Sequence, residues 1–144
     1  MLHVPDHLYS LHLGRLLGDR FLLLTHRGRR SGLVRRTTVE VVEHDRSTGE
    51  YIVCSGTGPR ADWYLNLKAA PALEVQVGAH RWVPRQRFLN AAEAARRFAD
   101  YEHDHPGTAR RLLELMGNSY DGTDSGRVAM MAHMPMVAFG ERDR

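Results

Sequence analysis

Hydrophobic and polar positions change period several times along the chain, and each change marks an element. Residues 6–18, DHLYSLHLGRLLG, set Leu8, Leu11, Leu13, Leu16 and Leu17 at roughly helical spacing, with Asp6 suited to cap the start and Gly18 to end it. The pattern predicts an amphipathic lid helix. The run FLLLTHR (21–27) is short for a helix and VRRTTVEVVEH (34–44) is rich in β-branched residues, so the two predict a hairpin turning at GRRSG. DRSTGE then supplies polar turn residues before a third strand, YIVCSG (51–56), which makes the first half a meander.

The period lengthens again after Ser55. Gly58 and Pro59 suit the start of a helix with Asp62 near its positive end, and Trp63, Leu67 and Ala70 share a face before Pro71 stops it. ALEVQVG and HRWVPRQRFL follow as strands, joined across Gly78 and Ala79 in the Gly-X manner of a type II′ hairpin. Asn90 with Glu93 has the spacing of a capping box, and the alanine-rich segment behind it predicts a helix, with a shorter one at 107–117. NSYDGTDSG reads as a loop and MPMVAFGE (134–141) as a closing strand whose start, at Pro135, belongs at an edge or bulge.

Six strands with few helices between them disfavour a parallel α/β sheet. They favour a mainly β, α+β chain: a small antiparallel barrel with helices packed outside, in one domain over 1–144 with the barrel at about 20–90 and 134–141 and helices in 91–117. The length of 144 residues, with 42% hydrophobic and 26% charged positions, agrees with one globular core. The N-terminus lacks the pattern of a secretion signal and no apolar run is long enough to span a bilayer, which places the expectation in the cytoplasm. Cys54, the single cysteine, excludes an internal disulfide and reads as a small buried strand residue.

Charge changes the picture more than composition does. The net charge is +3, yet Arg27, Arg29, Arg30, Arg35 and Arg36 all fall between residues 25 and 38. Guanidinium forks bind phosphate and carboxylate oxygens through paired charge-assisted hydrogen bonds, so this turn is either an anion site or a solvated hairpin end. Strand alternation sends Arg35 and Arg36 to opposite faces, so only some of the five converge. A second candidate is SGTGPRADWY (55–64), where Gly56 and Gly58 let backbone N–H groups approach a ligand at a helix start with Arg60 nearby; the alternative there is an ordinary turn. No helix-turn-helix pattern, zinc-finger spacing or RNA-binding strand signature is present, so nucleic acid is not the expected partner. The histidines show no metal-site spacing, and G-x-S-x-G is missing, so neither a metal centre nor serine hydrolysis is expected.

Taken together, LLTHRGRRSGLVRRTTV and VCSGTGPRADWYLNLKAAPALEVQV resemble the deazaflavin-dependent nitroreductase family, whose pattern is a Gly-Arg-Lys/Arg-Ser-Gly turn followed by an Asp-Trp-Tyr-x-Asn-Leu helix start; the likeness covers roughly residues 8–90. The resemblance implies a six-stranded antiparallel split β-barrel of the flavin-reductase and pyridoxamine-oxidase kind. It implies hydride transfer from the reduced deazaflavin coenzyme F-420 to an electron-poor small molecule such as a quinone, enone or nitro compound. By motif position, Arg29, Arg30 and Ser31 would meet the coenzyme's phosphate or glutamate tail, with Arg36 assisting; Ser55, Gly56 and Thr57 would line its ring, and Arg60, Trp63 and Tyr64 would complete the phosphate end. Trp63 and Tyr64 read equally well as core.

The coenzyme carries the hydride chemistry, so the protein has to supply position and a donor for charge forming on the substrate. Tyr120, in the NSYDGTDSG loop, and His133, in MAHMPM, are the candidate catalytic residues, with surface and core roles as the alternatives. Two further readings stay open: a non-catalytic split-barrel protein binding a lipid, flavin or other cofactor, and an oxidoreductase using flavin mononucleotide. A homodimer that closes the open barrel's edge is compatible with the pattern.

Overall fold

The computed structural model describes residues 20–55, 58–107, 110 and 123–141. Seven strands form one sheet: β1 (Phe21–Arg27), β2 (Val34–Asp45), β3 (Glu50–Cys54), β4 (Glu74–Val77), β5 (His80–Trp82), β6 (Arg85–Phe88) and β7 (Met136–Gly140). Their order is β5-β4-β1-β2-β3-β7-β6, and every pairing is antiparallel. Strands β1, β2 and β3 are successive neighbours, the meander expected from their sequence. The expected lid helix 6–18 and the bulk of the expected helix 107–117 lie outside the described residues.

Seven strands replace six because HRWVPRQRFL does not run through. It divides at Val83 and Pro84, β5 pairing with β4 at one end of the sheet and β6 with β7 at the other. Proline offers no N–H to a ladder, so the break falls where the chain must leave one strand pair for another. Only two residues separate the two ends of the strand order, and the sheet therefore curls back on itself as a barrel. Trp82 ties the closure, its indole N–H donating to the Gly140 carbonyl at 3.0 Å. A register shift between Val41 and Glu43 bends β2, the strand shared by the two halves.

Alternation along the strands divides the core in two. Val53, Val137 and Phe139 point into the barrel with Leu22, Leu24, Val39, Val75 and Leu67. Ile52, Cys54, Met136 and Ala138 point outward, against Ala94, Phe98 and Tyr101 of α2 (Ala91–Asp104) and Met130 of α3 (Asp124–Met130). Both faces of β3 and β7 are thus buried, which accounts for their continuous apolar sequence. β7 is a central strand, contrary to the edge or bulge expected from Pro135. The proline precedes the ladder, and its carbonyl accepts the Ser55 N–H at 2.9 Å. Helix α3 was not legible as a helix; Thr123 caps it, accepting from the Gly126 N–H at 3.0 Å inside a segment of loop-like composition.

Asn90 caps α2 as expected, accepting from the Glu93 N–H at 2.8 Å. The Glu93 carboxylate does not complete a capping box. It pairs instead with Arg87 of β6 at 2.6 Å and with Arg97 at 3.3 Å, while Arg97 also holds Glu43 and, at 2.8 Å, Asp45 of β2. Hydrogen bonds from the Ser47 hydroxyl and from Arg97 hold the Asp45 carboxyl well below its usual range, and Arg87 lowers Glu93. These folded-state values are depressed, so the stability they give is complete above the ordinary values of 3.8 and 4.5 and is lost as pH falls below them. The thermal midpoint should fall steadily on acidification below about pH 4.5, and less steeply in Arg97→Ala. Parallel pH profiles for the two proteins in calorimetry would contradict this role.

Candidate functional site

The basic turn between β1 and β2 is built by its glycines. The Gly28 N–H donates to the Leu33 carbonyl at 2.8 Å and the Gly32 N–H to the Gly28 carbonyl at 2.9 Å. Gly32 has φ of 72°, a left-handed conformation that side chains disfavour. A Cβ on Gly28 would stand 2.5 Å from the Ser31 Oγ, an oxygen that accepts the Leu33 N–H at 3.1 Å. Arg27 serves the turn itself, donating to the Gly32 carbonyl at 2.7 Å.

Helix α1 (Asp62–Ala69) lies beside this turn, with Trp63, Tyr64, Asn66 and Leu67 buried. One side chain joins the two. The Asn66 Oδ1 accepts the Arg29 backbone N–H at 3.0 Å and the Arg29 guanidinium at 2.8 Å. Arg29 also reaches the exposed Asp62 carboxylate at 3.3 Å. The Asn66 amide nitrogen meets His26 Nδ1 at 3.0 Å, and His26 Nε2 lies 3.3 Å from the Thr37 hydroxyl.

Between turn and helix lies an open cleft of about 500 Å³. Arg29, Arg30, Arg35 and Arg36 line it, as do Ser31, Trp63 and the first residues of α1. Adjacent arginines on β2 both reach it, because the cleft sits at the hairpin's end and their arms are long. Arg30, Arg35 and Arg36 have no acidic partner among the described residues, whereas Arg29 is engaged with Asp62. The α1 N-terminus adds unpaired N–H groups and the positive end of its dipole, with no side-chain cap hydrogen bond to satisfy them. The cleft can therefore hold an anion with several oxygens.

Of the residues expected to form the site, Arg29, Arg30, Ser31, Arg36 and Trp63 come together in this cleft. Ser55 is fully buried, its hydroxyl donating to the Gly58 carbonyl at 2.5 Å across the turn that follows β3. Tyr64 packs edge-on against Trp63 and Phe88 in the barrel core, and Arg60 is exposed in the approach to α1. His133 is exposed on the turn after α3, its carbonyl 3.6 Å from where a Cβ on Gly58 would stand. Gly58 itself has φ of 94°. The neighbouring methionines, Met130, Met131, Met134 and Met136, are core. Gly56, Thr57 and Tyr120 lie outside the described residues. Cys54 is inert: burial, then the nearby Glu40 charge, pushes its thiol up to about 12.

The pattern of the F420H(2)-dependent quinone reductase family matches residues 9–113. The chain belongs to that family. It is thus an oxidoreductase that uses the deazaflavin coenzyme F-420. Among solved structures, it is similar to an F420-H2-dependent reductase, FDR-A, at 21% identity over 85% of this chain and 95% of that one, with a TM-score of 0.56. It is also similar to a protein described as a domain-swapped dimer, at 21% identity over 93% of each chain and a TM-score of 0.57. A pyridoxamine 5′-phosphate oxidase-related, FMN-binding protein from Nostoc punctiforme aligns at 13% identity over 94% of this chain and 78% of that one, with a TM-score of 0.52. The fold is accordingly the split β-barrel. No curated protein matches significantly, and no described helix is long and apolar enough to cross a membrane.

In this F-420-dependent reductase, the cleft is also lined by residues that the sequence did not mark as part of a site: His26, Thr37, Asp62 and Asn66. Asn66 stands within the Trp-Tyr-x-Asn-Leu element, so a signal was present. Nothing in the linear chain indicated that its partner would be His26, 40 positions earlier.

Proposed function

We propose that this reductase holds coenzyme F-420 by its charged end in the cleft between the basic turn and α1, and delivers hydride to a quinone. The observation that carries the reading is the convergence of Arg30, Arg35 and Arg36, none with an acidic partner among the described residues, beside a helix N-terminus. A phosphodiester followed by a glutamate tail is the kind of ligand such a donor set suits, with Ser31 on the rim. The ring is assigned to Ser55, Gly56 and Thr57, of which Ser55 is anchored by its hydroxyl on the Gly58 carbonyl. Trp63 lines the cleft, and it is assigned to the phosphate end together with Arg60 and Tyr64.

When bound in its reduced form, the coenzyme supplies the hydride. The chain's part is to fix the anionic end, to exclude water from the ring face and to provide a proton to the reduced oxygen. His133, next to Gly58, and Tyr120 are assigned that last role. Quinones lead the substrate classes because the family carries that name, with enones and nitro compounds as further acceptors to test. Titration with F-420, followed by its fluorescence, should show saturable binding with a dissociation constant below roughly tens of micromolar, and a quinone should oxidise the reduced coenzyme catalytically. No binding in that range, or tighter binding of flavin mononucleotide with turnover, would overturn the reading.

A further inference from the structure

Four hydrogen-bonding groups connect the basic turn to the barrel interior, and their polarity is determined throughout. Arg29 presents only donors, from its backbone N–H and its guanidinium, so the Asn66 oxygen must face it. The Asn66 NH2 then faces His26, and Nδ1 of that ring must accept. The ring proton consequently sits on Nε2, where it meets the Thr37 hydroxyl. Asn66 and His26 are 4% and 3% exposed, so water cannot readily replace a lost partner. By contrast, the Asp62 carboxylate that also engages Arg29 is 87% exposed, and a surface ion pair of that kind holds a loop weakly.

Resting on the coenzyme reading above, we propose that Asn66, braced by His26, is a positioning residue that sets the anion-binding cleft, and that Arg29 is its strut rather than a coenzyme contact. The Asn66 oxygen grips Arg29 at both backbone and side chain, across 37 positions of sequence. Holding that backbone fixes where the next residues, Arg30 and Ser31, leave the turn, and so fixes the distance from their donors to the α1 N-terminus. The guanidinium of Arg29 is drawn onto the helix in the same act. This separates the arginines that a sequence motif treats alike: one builds the cleft, the others fill it with charge.

The test compares F-420 with its fragment cut back to the deazaflavin ring and ribityl chain, which lacks the phosphate and tail. Asn66→Ala should weaken F-420 about tenfold or more while the fragment changes by less than about twofold; KM for the reduced coenzyme should rise with kcat nearly held. Arg29→Ala should show the same selectivity with a smaller loss, since its backbone N–H still reaches Asn66, and the double variant should be no worse than Asn66→Ala alone by more than about twofold, because Asn66→Ala already removes both grips on Arg29. Asn66→Asp keeps an acceptor for Arg29, and the His26 ring can meet it by carrying its proton on Nδ1 while Nε2 accepts from the Thr37 hydroxyl, so this variant should bind F-420 within about threefold of the parent, which keeps the test decisive if Asn66→Ala does not fold.

Equal losses for coenzyme and fragment, additive effects of Arg29 and Asn66, or a tenfold loss in Asn66→Asp would each overturn the assignment. If the parent chain itself fails to bind F-420, the coenzyme reading falls and takes this one with it. If the parent binds and Asn66→Ala binds equally well, the positioning role alone is wrong.

Discussion

Arg30→Ala combined with Arg36→Ala is expected to lower the affinity for F-420 by about a hundredfold or more, the largest functional effect available from the cleft. A hydrogen bond between charged groups contributes roughly 1.5 to 3 kcal/mol, or about tenfold and upward for each arginine. The lower end applies here, since the cleft is open to water and its charges are screened. Neither side chain carries an acidic partner among the described residues or supports the turn, so the variant should fold and melt as the parent does. Flavin mononucleotide has a phosphate but no glutamate tail and should lose much less. Equal losses for both ligands, measured by fluorescence titration at fixed salt, would mean that the arginines form only a diffuse anion patch.

Phe139→Ala is expected to cost about 3 to 5 kcal/mol of stability, a large share of the roughly 5 to 15 kcal/mol available to a domain of this size. The side chain is fully buried on β7, between Tyr51 of β3 and Gln86 of β6 in register, and belongs to the cluster inside the barrel. Removing it leaves a cavity where both neighbouring strands are held by their ladders and cannot collapse. Val128→Ala, at an exposed position on α3, should stay within about 0.5 kcal/mol of the parent. Denaturant midpoints read both changes; a loss below about 1 kcal/mol for Phe139→Ala would place that ring outside the cooperative core.

Local chemistry explains which elements were legible. The β1–β2 hairpin carries β-branched strands and a glycine-rich turn, and Asn90 signals the start of α2, because caps and turns are decided by residues a few positions apart. The failures arise where distant partners decide. HRWVPRQRFL reads as one strand, and only the pairing of β4 with one half and β7 with the other makes Pro84 a corner of the barrel. Glu93 has capping-box spacing, but two arginines, one from β6, compete for its carboxylate and win. Pro135 seems to mark an edge until β3 and β6 are seen on either side of the strand behind it.

The same division holds at the cleft. Arginine density around GRRSG fits an anion site or a solvated hairpin end equally, and Arg30 and Arg36 are proposed as coenzyme contacts on the cleft they line. Ser55 and Tyr64 stand in motif positions, and packing adds what the motif does not give: the Ser55 hydroxyl bonds to the Gly58 carbonyl and Tyr64 packs in the core. Arg29 looked equivalent to Arg30 in the chain but differs from it in the fold, since Asn66 arrives from α1 to take up its hydrogens.

By itself the sequence determined the meander, the charge at its first turn, the start of α2 and the family, because each follows from short-range spacing and residue type. Tertiary structure alone decided the closure of the barrel through the break at Pro84, the two-sided burial of β3 and β7, and the division of labour among the arginines. Those depend on groups tens of positions apart competing for the same hydrogen bonds, and only packing settles which of them meet.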